Sequence, residues 1–208
     1  TYRGLDKAKG PIGTFTIFDE LRNIIRKVIN DNFQSFSTLL YGNSTYHFTD
    51  ELYKDFPEFN ERVKAAEKYS IGSNSFVRFS EAFFDSIPQD DKEYIEIYGR
   101  IDNNRVFRAI ERKYIKNHPN LEKYKVLVPG ANGSGAIGEV LSTPLIGEPL
   151  IGYTQTFISF GAFDDKREAL AVLKYLKTKF CRVMLGTLKV TQNNKTKDVW
   201  YNVPLQNF

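Results

Sequence analysis

Small and polar residues crowd together at Gly133-Ser134-Gly135-Ala136-Ile137-Gly138, which spells G-x-G-x-x-G, the fingerprint of a turn that cradles a dinucleotide. That chemistry needs a strand, a tight turn, and then a helix of several turns whose N-terminus faces the pyrophosphate. Tyr124 to Val128 has the composition of the strand. After Gly138, only Glu139 to Thr143 precede Pro144, and Gly147, Pro149 and Gly152 follow, so no helix longer than about one turn fits. The segment reads instead as a glycine-rich surface loop between strands.

Other catalytic arrangements fail in the same way. His47, His118 and Cys181 have no zinc-ligand spacing, so no metal site is assigned. Cys181 falls on the apolar side of its helix, the position of an inert core thiol. The glycines lack the strand-to-helix frame that exposes a nucleophilic serine. Glu111-Arg112-Lys113 resembles the Glu-x-Lys of a magnesium nuclease, but the sequence puts it inside a helix, where ion pairing explains it better. No Asn-Pro-Pro-Tyr loop is present to hold a flipped adenine; Asn117-His118-Pro119-Asn120 reads as a helix stop. No catalytic residue is assigned.

What remains is binding. Between Asn103 and Asn117 the spacing predicts a helix with Val106, Phe107, Ile110 and Tyr114 on one side. Arg105, Arg108, Arg112 and Lys116 then fall within about 80° on the other, a stripe suited to phosphates or to plain solvation. The glycine loop offers backbone N–H groups, with Asn132 and Ser134 as candidate readers of base edges. Lys189 to Lys197 mixes cations, Lys189 and Lys195 among them, with Gln192 and Asn193, whose amides match adenine. Lys177, Lys179 and Arg182 add a second cationic face.

The elements that must position these groups follow from periodicity. Leu21, Ile24, Ile25, Val28 and Ile29 recur as a helix stripe over Phe18 to Asn30, with Thr16 as its cap. Phe33 to Leu40 reads as extended, Gly42-Asn43-Ser44 as a turn, and residues 50 to 69 as helix interrupted at Pro57; residues 71 to 85 fit strand or helix equally. Strands are expected at 94 to 98, 124 to 128 and 155 to 161. One long helix from Asp164 or Asp165 carries Ala169, Val172, Leu173, Leu176, Phe180, Val183 and Met184 on its buried side. The echo PLIGE-PLIG is too short for a solenoid repeat. The fold class expected is α+β: a single domain over 1–208, with residues 1–90 as a candidate helical lobe and 91–208 as the recognition core.

Composition sets the outer limits. The 208 residues can bury a core without staples, and the single cysteine excludes an internal disulfide and fits a cytoplasmic protein. No apolar run approaches a membrane span. The absence of an initiator Met suggests a piece of a longer polypeptide. Charge is uneven: residues 50–96 carry −6 and residues 166–208 carry +7, an asymmetry that favours a polyanionic partner.

Several segments in order look familiar: IYGRIDNNRVFRAIERKYI, KVLVPGANGSGAIGEVLSTPLIGEPLIGYTQTFISFGAF, EALAVLKYLKTKFCRVMLGTLKVTQNN, and W-Y-x-VPLQNF. Together they resemble the C-terminal target-recognition region of bacterial restriction-modification enzymes with an adenine-specific DNA methyltransferase core. The match covers about the last 110 residues strongly. The resemblance implies sequence-specific binding of double-stranded DNA beside a methyltransferase domain that uses S-adenosylmethionine, and in some members a nuclease. No cofactor is implied for this chain itself. Gly130 departs from the family, which commonly carries Lys there. Two other readings stay open: a module that docks a protein subunit through its aromatic-rich N-terminal half, and a nucleotide-binding enzyme domain.

Overall fold

A computed structural model describes residues 18–208. The first helix, α1 (Asp19–Val28), matches its expected stripe in part: Leu21 and Ile25 are buried, whereas Ile24 is exposed. Thr16, its expected cap, lies outside the described residues. The chain continues through a 3-10 turn (Phe36–Leu39) into the short β1 (Leu40–Tyr41), the turn at Gly42-Asn43-Ser44, and α2 (Asp50–Asp55). Pro57 then converts the helical pattern into a 3-10 turn, Pro57–Arg62, because it has no amide to donate. The ambiguous stretch resolves into one helical turn, α3 (Ser75–Arg78), and another 3-10 turn.

Asn103 to Asn117 is not a helix: β2 (Tyr94–Ile101) turns back at Asp102-Asn103 into β3 (Asn104–Glu111), with pairing from Tyr94↔Glu111 to Ile101↔Asn104. Asp102 and Asn103 have φ of 48° and 63°, the paired left-handed conformation of a two-residue hairpin turn, which Asp and Asn tolerate best after glycine. Asn103 suits a helix cap equally well, and that ambiguity misled the sequence reading. Side chains on a strand alternate, so Arg105 and Arg108 point to opposite faces, and Arg112 and Lys116 lie beyond the strand. The expected cationic helix face does not exist.

The remaining strands are β4 (Tyr124–Pro129), β5 (Leu145–Gly147), β6 (Ile151–Tyr153) and β7 (Phe157–Phe163), followed by α4 (Lys166–Lys177) and α5 (Lys179–Gly186). One sheet has the order β1-β7-β4-β5 and the other β3-β2-β6. The two halves of the PLIGE-PLIG echo thus enter different sheets: Leu145–Gly147 pairs antiparallel to β4, and Ile151–Tyr153 parallel to β2. Alternation along β4 and β7 joins the layers. Val126, Val128, Ile158 and Phe160 face the core shared with α1, α4 and α5, whereas Leu127 and Phe157 face the core shared with the second sheet. Residues before 90 divide between the two: Leu21 to Leu40 pack in the first core and Tyr46 to Phe83 in the second. Mixed helices around two sheets make this an α+β protein.

The expected single C-terminal helix is two. Asp165 caps α4 by accepting from the Arg167 amide, and α4 stops at Thr178, whose extended backbone lets its Oγ1 cap α5 at the Cys181 amide. The break turns Phe180 outward while Cys181, Met184 and Leu185 stay buried. Burial pushes the Cys181 thiol up to about 12, consistent with an inert core residue.

A lysine that periodicity never singled out lies inside β4. Lys125 is fully buried, and its ammonium donates to the carbonyls of Ile151 (2.9 Å) and Leu121 (3.3 Å), pinning the crossover between the two sheets. Burial lowers its pKa from 10.5 to about 7. Between those values the folded state binds fewer protons than the unfolded chain, so stability rises with pH from about 7 to 10.5. Above that window the sign reverses, because burial raises the Tyr46 and Tyr153 phenols, which stay protonated when folded. Urea unfolding across pH 7 to 10 should therefore show rising stability, and Lys125→Met should flatten the rise; an unchanged slope in the variant would assign it to another group.

Candidate nucleic-acid interface

The loop from Gly130 to Pro144 takes its shape from the segment that follows α5. Ala131 and Asn193 form a bridge, the Asn132 amide donates to Gln192 O (2.8 Å), and the Asn194 amide donates to Gly130 O (2.9 Å). Below this seam the Asn194 side chain donates to Pro129 O (3.1 Å), and the Trp200 indole donates to Asn194 O (2.8 Å). Gly135 permits the close approach: with φ of +96°, a Cβ there would lie 2.7 Å from the backbone of Val190 and Thr191.

The loop interior is an ion-paired knot. Lys189 is 2% exposed, and its ammonium donates to Asn132 O and Glu139 Oε1, each at 2.7 Å. Glu139 also accepts from the amides of Ser134 (2.9 Å) and Gly135 (3.1 Å). Burial pushes the Glu139 carboxyl up, but the bonds from Lys189 and the two amides outweigh it and hold the pKa at about 2. Asn132 donates to Val140 O (3.0 Å) and accepts from the Ser142 amide (2.6 Å), closing the loop on itself. From outside, Arg105 donates to Thr143 O and Ser142 Oγ (both 2.8 Å), and Arg182 donates to Gly138 O (3.1 Å). Apart from the Lys189–Glu139 and Arg105–Ser142 side-chain pairs, each tie is a charged or amide side chain on a backbone group, the arrangement that fixes a loop without an apolar core.

The sequence-predicted residues therefore separate by role. Lys189 and Asn132 are buried, and their side chains bond within the loop rather than facing its surface. Arg105 and Arg182 hold the loop. Arg108 pairs with Asp85 (3.0 Å), and Arg112 is spent on Ile115 O (2.9 Å) and Asn117 Oδ1 (2.8 Å). Glu111, read in sequence as a helix residue, ends β3 almost buried and pairs with Lys92 (2.6 Å) and Lys113 (3.3 Å). Lys116 is exposed beside His47, away from the loop contacts.

On the outer surface of the two-segment platform, Ser134 and Gln192 are exposed, and Asn193 is half-buried with its Oδ1 accepting from the Lys195 amide (3.0 Å). Lys177 and Lys179 are exposed at the α4–α5 break and have no ion-pair partner among the described residues, and neither has Lys195. A Cβ at Gly130 would lie 2.7 Å from Lys195 Cε, so a lysine stem crosses this position although the residue itself is glycine. Sequence reasoning missed the apolar members of the surface: Val190 is 84% exposed, Val140 72% and Ile137 43%. Their signal was an isolated aliphatic residue inside a polar, glycine-rich segment, where no periodic stripe claims it.

Among the described residues, no group of three or more His, Cys, Asp and Glu side chains is placed to hold a metal, and no helix is long and apolar enough to cross a membrane. No family model, curated protein or solved structure matches this chain.

Proposed function

We propose that this chain is a recognition module for double-stranded DNA, working in the cytoplasm beside an adenine methyltransferase that supplies S-adenosylmethionine chemistry, and in some settings a nuclease. The observation that carries the reading is the platform of two interlocked segments. Its shape is fixed by buried Lys189 and half-buried Glu139, and its outer side chains, Ser134, Gln192, Asn193, Val190 and Val140, combine hydrogen-bonding and apolar groups. Such a mixture suits a groove floor, where amides meet base edges and aliphatic groups meet the thymine methyl. Lys177, Lys179 and Lys195 supply unpaired charge for the backbone. The quoted segments point to the same partner.

The test is duplex binding as a function of salt, followed by selection from a randomised duplex pool. Lys177→Ala and Lys179→Ala should each weaken binding to all sequences and flatten the log–log salt slope by about one unit. Gln192→Ala should leave the slope intact and relax preference at one position of the selected site. If the chain binds no duplex even at about 50 mM salt, the reading is wrong.

One observation favours a second reading. Val77 (69% exposed), Ile87 (53%) and Phe84 (37%), the last packed edge-on against Tyr94, are exposed apolar side chains in the acidic stretch that DNA would avoid. Docking of a protein domain there predicts an association insensitive to salt and weakened by Val77→Asp.

A further inference from the structure

A cleft of about 310 Å3 opens between the turn after β1 and the segment after β3, lined by Ser44, Thr45, His47, Lys116, Asn117 and His118. Its frame is built from three extended segments. The Phe48 amide donates to Tyr69 O, the Thr49 amide to Tyr114 O and the Lys116 amide to His47 O, all at 2.8 Å. No carboxylate lines the cleft. Two acids lie outside the lining: Asp50, in the adjoining cleft that shares His47 and Lys116, accepts from the Tyr69 hydroxyl (2.6 Å), and Glu122 pairs with Arg112 (3.5 Å), whose guanidinium bonds Asn117.

Four of the lining side chains, His118, Asn117, Ser44 and Thr45, each have an acceptor occupied. The Asn120 amide donates to His118 Nδ1 (3.1 Å), which fixes the tautomer and leaves Nε2–H as the free donor. Tyr41 and Tyr46 pack edge-on against the same imidazole, at centroid distances of 5.7 and 5.8 Å. Asn117 Oδ1 accepts from Arg112, so its remaining polar group is the amide NH2. Ser44 Oγ accepts from Gln155 Nε2 (3.5 Å), and its hydroxyl hydrogen remains available. Thr45 Oγ1 is consumed between Gly42 O and the Tyr153 hydroxyl. Lys116 is exposed and has no ion-pair partner among the described residues. A cleft that offers donors and one cation, with no competing carboxylate, is complementary to an oxyanion.

We propose that this cleft binds a phosphoryl oxyanion, with Lys116 as the counter-charge and His118 Nε2–H as the directional donor. The site shares no residue with the loop platform and does not depend on the DNA reading. Burial, together with the nearby His47 and Lys125, lowers the His118 pKa below its ordinary value, so the imidazole is a neutral donor at neutral pH. Tyr41 and Tyr46, the other titratable groups against it, are phenols. An anion in the cleft favours the imidazolium, so binding must raise the His118 pKa.

The experiment follows the imidazole resonances of the full chain by NMR while inorganic phosphate is added, with sodium chloride at matched ionic strength as control. The His118 titration should move to higher pH with phosphate and stay put with chloride. Lys116→Ala, a surface change that leaves the frame intact, should weaken phosphate binding roughly tenfold, the loss of one charge-assisted contact, whereas Lys27→Ala, an exposed lysine on α1, should not alter it. A second arm adds a short DNA duplex. A His118 response to both probes that Lys116→Ala weakens supports the site and identifies backbone phosphodiester as a source. A response to inorganic phosphate alone supports the site and assigns it to a free phosphoryl compound. No response beyond the chloride control, or equal weakening by Lys116→Ala and Lys27→Ala, overturns the proposal.

Discussion

Lys189→Met should lower the stability of the chain by about 3–5 kcal/mol, the cost of leaving one member of a buried ion pair alone. Lys189 is 1% exposed at its side chain and Glu139 17%, so removal of the ammonium leaves a largely shielded carboxylate without its counter-charge. Asn132 O loses its donor at the same time. Equilibrium urea unfolding measures the loss. Adding Glu139→Gln should recover part of it, because the neutral amide still presents an acceptor to the Ser134 and Gly135 amides without a buried charge. The pH dependence supplies a separate check. With Glu139 held at about 2 in the folded state against an ordinary 4.5, its contribution is complete above pH 4.5 and disappears as pH falls toward 2. Lys189→Met should make that acid loss shallower. If the single variant is as stable as the parent, the ion pair does not hold the loop.

Trp200→Ala should cost a similar amount, about 3–5 kcal/mol, by emptying the largest site in the core beneath the platform. The indole is fully buried, packs at a centroid distance of 4.6 Å against Phe160 and 6.0 Å against Phe36, and sends its N–H to Asn194 O. Trp200→Phe separates these contributions. It keeps most of the ring volume and drops the donor, so about 1–3 kcal/mol should be lost through the unsatisfied Asn194 carbonyl. Hydrogen exchange at the Asn194 amide, which donates to Gly130 O, should accelerate in Trp200→Ala relative to exchange in β2 and β3, which belong to the other core. Uniform acceleration throughout the chain would mean that the two cores unfold as one unit and that Trp200 does not support the loop selectively.

Elements whose hydrophobic spacing is set by their own packing face were legible in the sequence. Leu21 and Ile25 mark α1, Ala169, Val172 and Leu176 mark α4, and the alternation at Tyr94 to Tyr98 marks the start of β2. The glycine loop was legible by exclusion, since Pro144 and Gly147 leave no length for a helix. Three features were not legible, each for a physical reason. Asn103 can cap a helix or occupy a left-handed turn, and only the partner strand decides between them. Thr178 can lie inside a helix or cap the next one, and the buried positions of Cys181 and Met184 decide that. The roles of Lys189 and Asn132 depend on contact across 57 residues, which no local window contains. A cation that sequence placed at the surface is the internal fastening of the loop, and the unpaired charges left outside are Lys177 and Lys179 at the helix break together with Lys195.

Ala131 pairs with Asn193, Gly135 lies against Val190, and Gly130 under Lys195, so neither segment has a shape without the other. A foreign glycine loop grafted alone would bring its contour onto an unmatched seat. The structural unit is the two strips together, and a graft that folds must carry both.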